Sequence, residues 1–176
     1  AISASVFPHN ILYPYIAPFL AQAGIANRVD AELLVSGVAP LLSIWVTGVL
    51  IDRWLRELVL VSIALFGVSA VALGIAGTVP AVVYASAATW GLAFGGAATL
   101  FQTASAKTAG AAADVAQSML VTTWNLAVAG GGIAGGLLLE SAGVGAFPIA
   151  VLALLAATLL VAAAARSHGF PAVTRA

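Results

Sequence analysis

The sequence predicts an all-α membrane protein of six transmembrane helices, arranged as one bundle over residues 1–176. Three observations predict it. Apolar residues make up 62% of the 176 positions and charged residues only 7%, with a mean hydropathy of +1.13; a water-soluble domain carries about 25% charged residues. The charges are clustered, leaving uncharged gaps of 27, 19, 49, 25 and 25 residues. The runs are continuous rather than alternating, which excludes transmembrane strands of about ten residues.

A helix needs about 20 apolar residues at ~1.5 Å each to cross a ~30 Å hydrocarbon layer. Four gaps each fit one crossing. The 49-residue gap fits two, broken at the turn signal Gly77-Thr78-Val79-Pro80. The expected spans are 3–23, 33–51, 58–76, 81–103, 115–138 and 145–165. The first is not read as a signal peptide, because no basic segment precedes it and five spans follow. The chain opens almost inside a span and has no initiator Met, so it reads as a fragment or half of a larger protein.

Basic residues set the orientation. Arg53, Arg56, Lys107, Arg166 and Arg175 fall on one side, and Arg28 alone on the other. Both termini and the loops 52–57 and 104–114 are therefore expected in the cytoplasm, and the alanine-rich composition suggests a bacterial inner membrane. The loops are too short to house a separate catalytic domain. Six basic and six acidic residues give zero net charge and no footprint for nucleic acid. There is no cysteine, and His9 and His168 stand far apart in sequence, so neither a metal nor a cofactor is expected. Gly130-Gly-Gly132-Ile-Ala-Gly135 matches the dinucleotide spacing G-x-G-x-x-G, but it lies within an uncharged helix with no preceding strand. Nucleotide binding is rejected and no enzyme is expected.

The motif Gly48-x-Leu50-x-Asp52-Arg53-x-x-Arg56 ends the second span. Read alone, it is a positive-inside anchor whose Gly48 admits a neighbouring helix and whose Asp52 can pair with Arg53 or Arg56. It resembles the loop between the second and third helices of each half of the major facilitator superfamily. Tyr13-Pro14-Tyr15-Ile16-Ala17-Pro18-Phe19-Leu20 resembles the seventh helix of the drug and sugar efflux branch, which includes arabinose-efflux-like permeases. Trp90-Gly91-Leu92-Ala93-Phe94-Gly95 with Leu100-Phe101-Gln102-Thr103 resembles the tenth. Ala116-Gln117-Ser118, Trp124-Asn125-Leu126, Gly131 and Gly135-Gly136 resemble the eleventh. Leu55, Glu57 and Ala127 depart from the usual pattern.

The resemblance implies the C-terminal half of a transporter, built from two inverted three-helix repeats and working by alternating access. Its partners would be lipid, a small-molecule substrate, and an N-terminal six-helix bundle or a second copy. Spans 1 and 4 would line the cavity, and they hold eight of the 14 aromatic residues. The candidate cavity residues are His9, Asn10, Tyr13, Trp90, Phe94 and Asn125. Gly48, Asp52, Arg53 and Arg56 are the candidate cytoplasmic gate. Gly91, Gly95, Gly131, Gly132, Gly135 and Gly136 are candidates for close helix packing. Pro8, Pro14 and Pro18 should bend the first span. All six acids fall in loops or at the expected span ends, leaving His9 as the ionisable group within a span. Proton coupling is therefore expected to reside in the missing N-terminal half. The alternative function is a membrane assembly module whose glycine faces bind partner helices.

Overall fold

The computed structural model describes residues 2–164, with side chains for residues 5–160. Arg166, His168 and Arg175 lie outside the described residues, so the C-terminal part of the charge argument does too. Among the described residues, secondary structure is entirely helical: α1 (Ile2–Leu12), α2 (Ile16–Gln22), α3 (Val29–Ala76), α4 (Pro80–Gly95), α5 (Ala97–Ala109), α6 (Ala113–Ala142) and α7 (Ala146–Ala164).

The three prolines of the first span act differently. Pro8 is carried inside α1, whereas Pro14 sits in a single 3-10 turn, Tyr13–Tyr15, which separates α1 from α2. The expected turn at 77–80 is present: α3 stops at Ala76, and Pro80 opens α4 at a position where its missing N–H costs no helical bond. Gly24, Gly110 and Gly143 adopt positive φ in the other connections, where residues with a Cβ would be strained.

Two expectations are corrected. The loop 52–57 is not a loop; α3 runs through it and departs from helical geometry only at Trp54 (φ −129°, ψ 25°). Pro40 lies against Gly91, while the Phe66 ring is 4.9 Å from that of Trp90, the next residue. A straight helix would hold Pro40 and Phe66 about 39 Å apart. The chain therefore folds back at Trp54, and the two halves of α3 both pack on α4. Second, the expected fourth span is broken at Gly96, between α4 and α5.

The break at Gly96 has an identifiable cause. In an unbroken helix the Gly96 N–H would donate to the Leu92 carbonyl. Instead it donates to Ser43 Oγ (3.1 Å), and the Ser43 hydroxyl donates to the Leu92 carbonyl (2.7 Å). A hydroxyl from α3 is thus inserted into the hydrogen-bond ladder of its neighbour, a recognised source of sharp kinks.

α6 packs on α1, and α7 packs on α1 and on α3. The core includes Leu12, Phe19, Phe66, Trp90, Phe147 and Val151. Outside it, α3 presents Leu34, Leu41 and Trp45 with about two-thirds of their surface uncovered (67%, 66% and 68%). Only 33% of its most apolar 18-residue window is buried. The core helix of a water-soluble protein would be mostly covered; this exposed apolar surface fits a membrane protein. α3 and the segment Pro80–Ala142 are each long and apolar enough to cross a membrane.

Candidate functional site

His9 is the centre of an aromatic cluster drawn from helices that are distant in sequence. Its ring lies parallel to Phe94 (centroids 3.6 Å apart, 4° between planes) and to Tyr13 (5.0 Å, 15°). Trp90 meets it edge-on (5.5 Å, 85°), and the indole Nε1–H donates to His9 Nδ1 at 2.8 Å. With Nδ1 accepting, the neutral ring carries its proton on Nε2. Phe94 continues the cluster to Trp124 on α6 (5.7 Å). Four of the six candidate cavity residues, His9, Tyr13, Trp90 and Phe94, thus come together.

These residues form part of the wall of a cavity of about 250 Å³, completed by Glu32, Ser36 and Pro40 from α3, with Ile16, Ala87, Gly91 and Gly95. Glu32 is 1% exposed. The Ser36 hydroxyl donates to Glu32 Oε1 at 2.5 Å, one helical turn on, and Glu32 Oε2 is buried without a hydrogen-bond partner among the described residues.

Glu32, expected at a span end, is brought into the cavity wall by the packing of α3. The charge gap set the span start at residue 33, but α3 begins at Val29, so Glu32 stands in its first helical turn. A signal was present: Glu32 shares a helical stripe with Ser36, Ala39, Ser43 and Thr47, at spacings of three and four.

The remaining candidates lie elsewhere. Asn10 is turned to α6: its Nδ2 donates to the Val6 carbonyl of its own helix (2.9 Å), and its Cβ packs on Gly131. Asn125 is exposed on α6, outside the cavity wall. Asp52 and Arg53 are exposed and Arg56 half-buried around the Trp54 reversal. Gly48 admits no helix, since nothing lies within 4 Å of where its Cβ would be; the stripe of α3 that meets α4 is Ala39, Ser43 and Thr47.

The packing glycines separate in the same way. A Cβ on Gly91 would stand 2.8 Å from Ala39 Cβ, and one on Gly95 2.6 Å from the Pro40 backbone. On α6, a Cβ on Gly131 would meet the Phe7 carbonyl oxygen at 2.8 Å, one on Gly135 the Ile11 carbonyl oxygen at 2.5 Å, and one on Gly136 the Tyr15 hydroxyl at 2.9 Å. Gly132 is the exception: nothing lies within 4 Å of its Cβ position, and its carbonyl accepts from the Tyr15 hydroxyl at 2.7 Å. The buried stripe of α6 therefore includes Ala127, Gly131 and Gly135, with Gly136 beside it under Tyr15 and Gly132 facing open space.

No protein-family model matches the chain, and no solved structure matches it. Among curated proteins it is similar to a probable sugar efflux transporter of Mannheimia succiniciproducens. The identity is 31% over 149 residues, covering 77% of this chain and 34% of that protein. The chain thus spans about a third of the length of the relative it matches.

Proposed function

We propose that this chain is the C-terminal six-helix bundle of a major facilitator transporter, and that the whole protein exports a small organic solute by alternating access. The similarity to a probable sugar efflux transporter, over most of this chain, carries the reading. In it, the spans are α1 with α2, the two halves of α3, α4 with α5, α6 and α7. Helix pairing supports two three-helix repeats: span 1 packs on span 5 as span 4 packs on span 2, and span 6 meets span 1 as span 3 meets span 4. Exchanging the two triplets turns each pairing into the other, as inverted repeats require.

The bundle sits in a bacterial inner membrane with Arg53, Arg56 and Lys107 on the cytoplasmic side. The Asp52–Arg56 turn biases the access equilibrium there, and the partner bundle covers the exposed apolar faces that lipid does not. Catalysis is conformational, with no covalent step. The assembly-module alternative is less favoured by packing: Gly91, Gly95, Gly131 and Gly135, four of the six candidate packing glycines, are already covered within the bundle.

The test is reconstitution of the full-length protein in proteoliposomes, following labelled arabinose and small aromatic solutes with and without an ion gradient. Gradient-dependent flux of at least one solute is expected. Absence of flux for all of them, from protein that remains folded, overturns the reading.

A further inference from the structure

We infer that the cavity between α1, α3 and α4 binds a small protonated aromatic amine, with Glu32 as its counter-ion. The inference rests on the transporter reading and sharpens it from a solute of unspecified class to a cation. Its starting point is the Glu32 carboxylate, 99% covered, lining the cavity with one oxygen unpartnered among the described residues. No lysine or arginine is among the residues that line the cavity. A buried carboxylate without a positive partner is strongly disfavoured. The α3 N-terminus offers only partial positive charge, and Ser36 satisfies only Oε1.

An ammonium supplies what is missing. It brings a full charge and N–H donors for Oε2, in a charge-assisted bond. The rest of the wall suits the other end of such a solute. Tyr13, Trp90 and Phe94 present aromatic surface, which favours a ring and attracts a cation through its face. These rings are held in place by the His9 stack and by the Trp90–His9 hydrogen bond, so little ordering remains for the solute to impose. The cavity volume of about 250 Å³ lies just under the usual ligand range of ~300–1,000 Å³, which limits the solute to a single-ring size. A neutral sugar would fill the space but bring no positive charge to Glu32.

The experiment measures equilibrium binding to the full-length protein in nanodiscs at neutral pH. The probes are phenethylamine, its uncharged isostere phenethyl alcohol, and arabinose. Wild-type protein is expected to prefer the amine over the alcohol by roughly tenfold or more. Glu32→Gln keeps the shape and an acceptor for Ser36 but removes the charge. It should weaken amine binding by roughly 10- to 100-fold and alcohol binding by much less, so that the preference for the amine is lost. Equal affinity of wild-type protein for amine and alcohol overturns the inference, whether or not Glu32→Gln folds. So does a folded Glu32→Gln protein that binds the amine as wild type does. Arabinose flux without amine preference would sink this inference and leave the transporter reading standing; if no solute binds or moves, both fall.

Discussion

The α1–α6 and α3–α4 interfaces solve the same problem, close approach of two helices, and end with opposite results. α6 carries five glycines between residues 130 and 136 and remains one helix from Ala113 to Ala142. Its partner lays Phe7, Asn10 and Tyr15 over the glycines and touches the α6 backbone through one hydroxyl, Tyr15 to the Gly132 carbonyl. That carbonyl has a second lone pair, so the bond adds to the ladder without interrupting it. α4 meets small polar residues instead, and the Ser43 hydroxyl takes both partners of one ladder bond. Glycine content therefore does not decide where these helices break. A competing donor–acceptor inserted at one position does.

The comparison can be broken most severely at the contacts it shares. Gly95→Leu and Gly135→Leu each push a side chain into a neighbouring backbone that has no room to give, at 2.6 and 2.5 Å from the first added carbon. Each should destabilise the bundle by roughly 3 kcal/mol or more, seen as loss of monodisperse protein in detergent. Wild-type yield from either would refute the packing described.

Ser43→Ala sharpens the contrast. It frees Gly96 N–H and the Leu92 carbonyl to pair directly, so α4 and α5 should straighten at a net cost of about 1 kcal/mol. Spin labels at the exposed positions Ala81 and Lys107 should move apart; an unchanged distance would mean that the hydroxyl does not cause the break. Tyr15→Phe should leave α6 straight and cost only about 0.6 kcal/mol, the average for a hydrogen bond between membrane helices. The smallest effect is expected at Gly132→Ala, where the space is open; its thermal stability should stay within about 0.5 kcal/mol of wild type.

Helix placement was legible because charge gaps and Gly/Pro punctuation are local signals. The turn at 77–80 and the bend around Pro14 followed from them. What escaped the sequence is tertiary. Gly96 lies inside an apolar run and is singled out only by Ser43, 53 residues earlier. The reversal at Trp54 needs one residue where a charged loop of six was expected, because helical geometry resumes at once on either side. Glu32 reads as a span end and stands in the first turn of α3; its place in the cavity wall depends on how the neighbouring helices pack on that turn. At the site, Tyr13, Trp90 and Phe94 could be chosen from the aromatic content of the expected spans 1 and 4, and His9 as a polar group at helical spacing from Tyr13. Asn10 could not be excluded by type, since only the position of α6 decides which way it turns.

The interrupted ladder at Gly96 has one more consequence. Two bonds through Ser43 hold the interrupted form, Ser43 to Leu92 and Gly96 to Ser43. Straightening would restore Gly96 to Leu92 and let Ser43 donate within its own helix, to the carbonyl four residues before it, again two bonds. The joint can flex by trading partners at constant bond count, so its stiffness is set by the side chains around it rather than by the backbone.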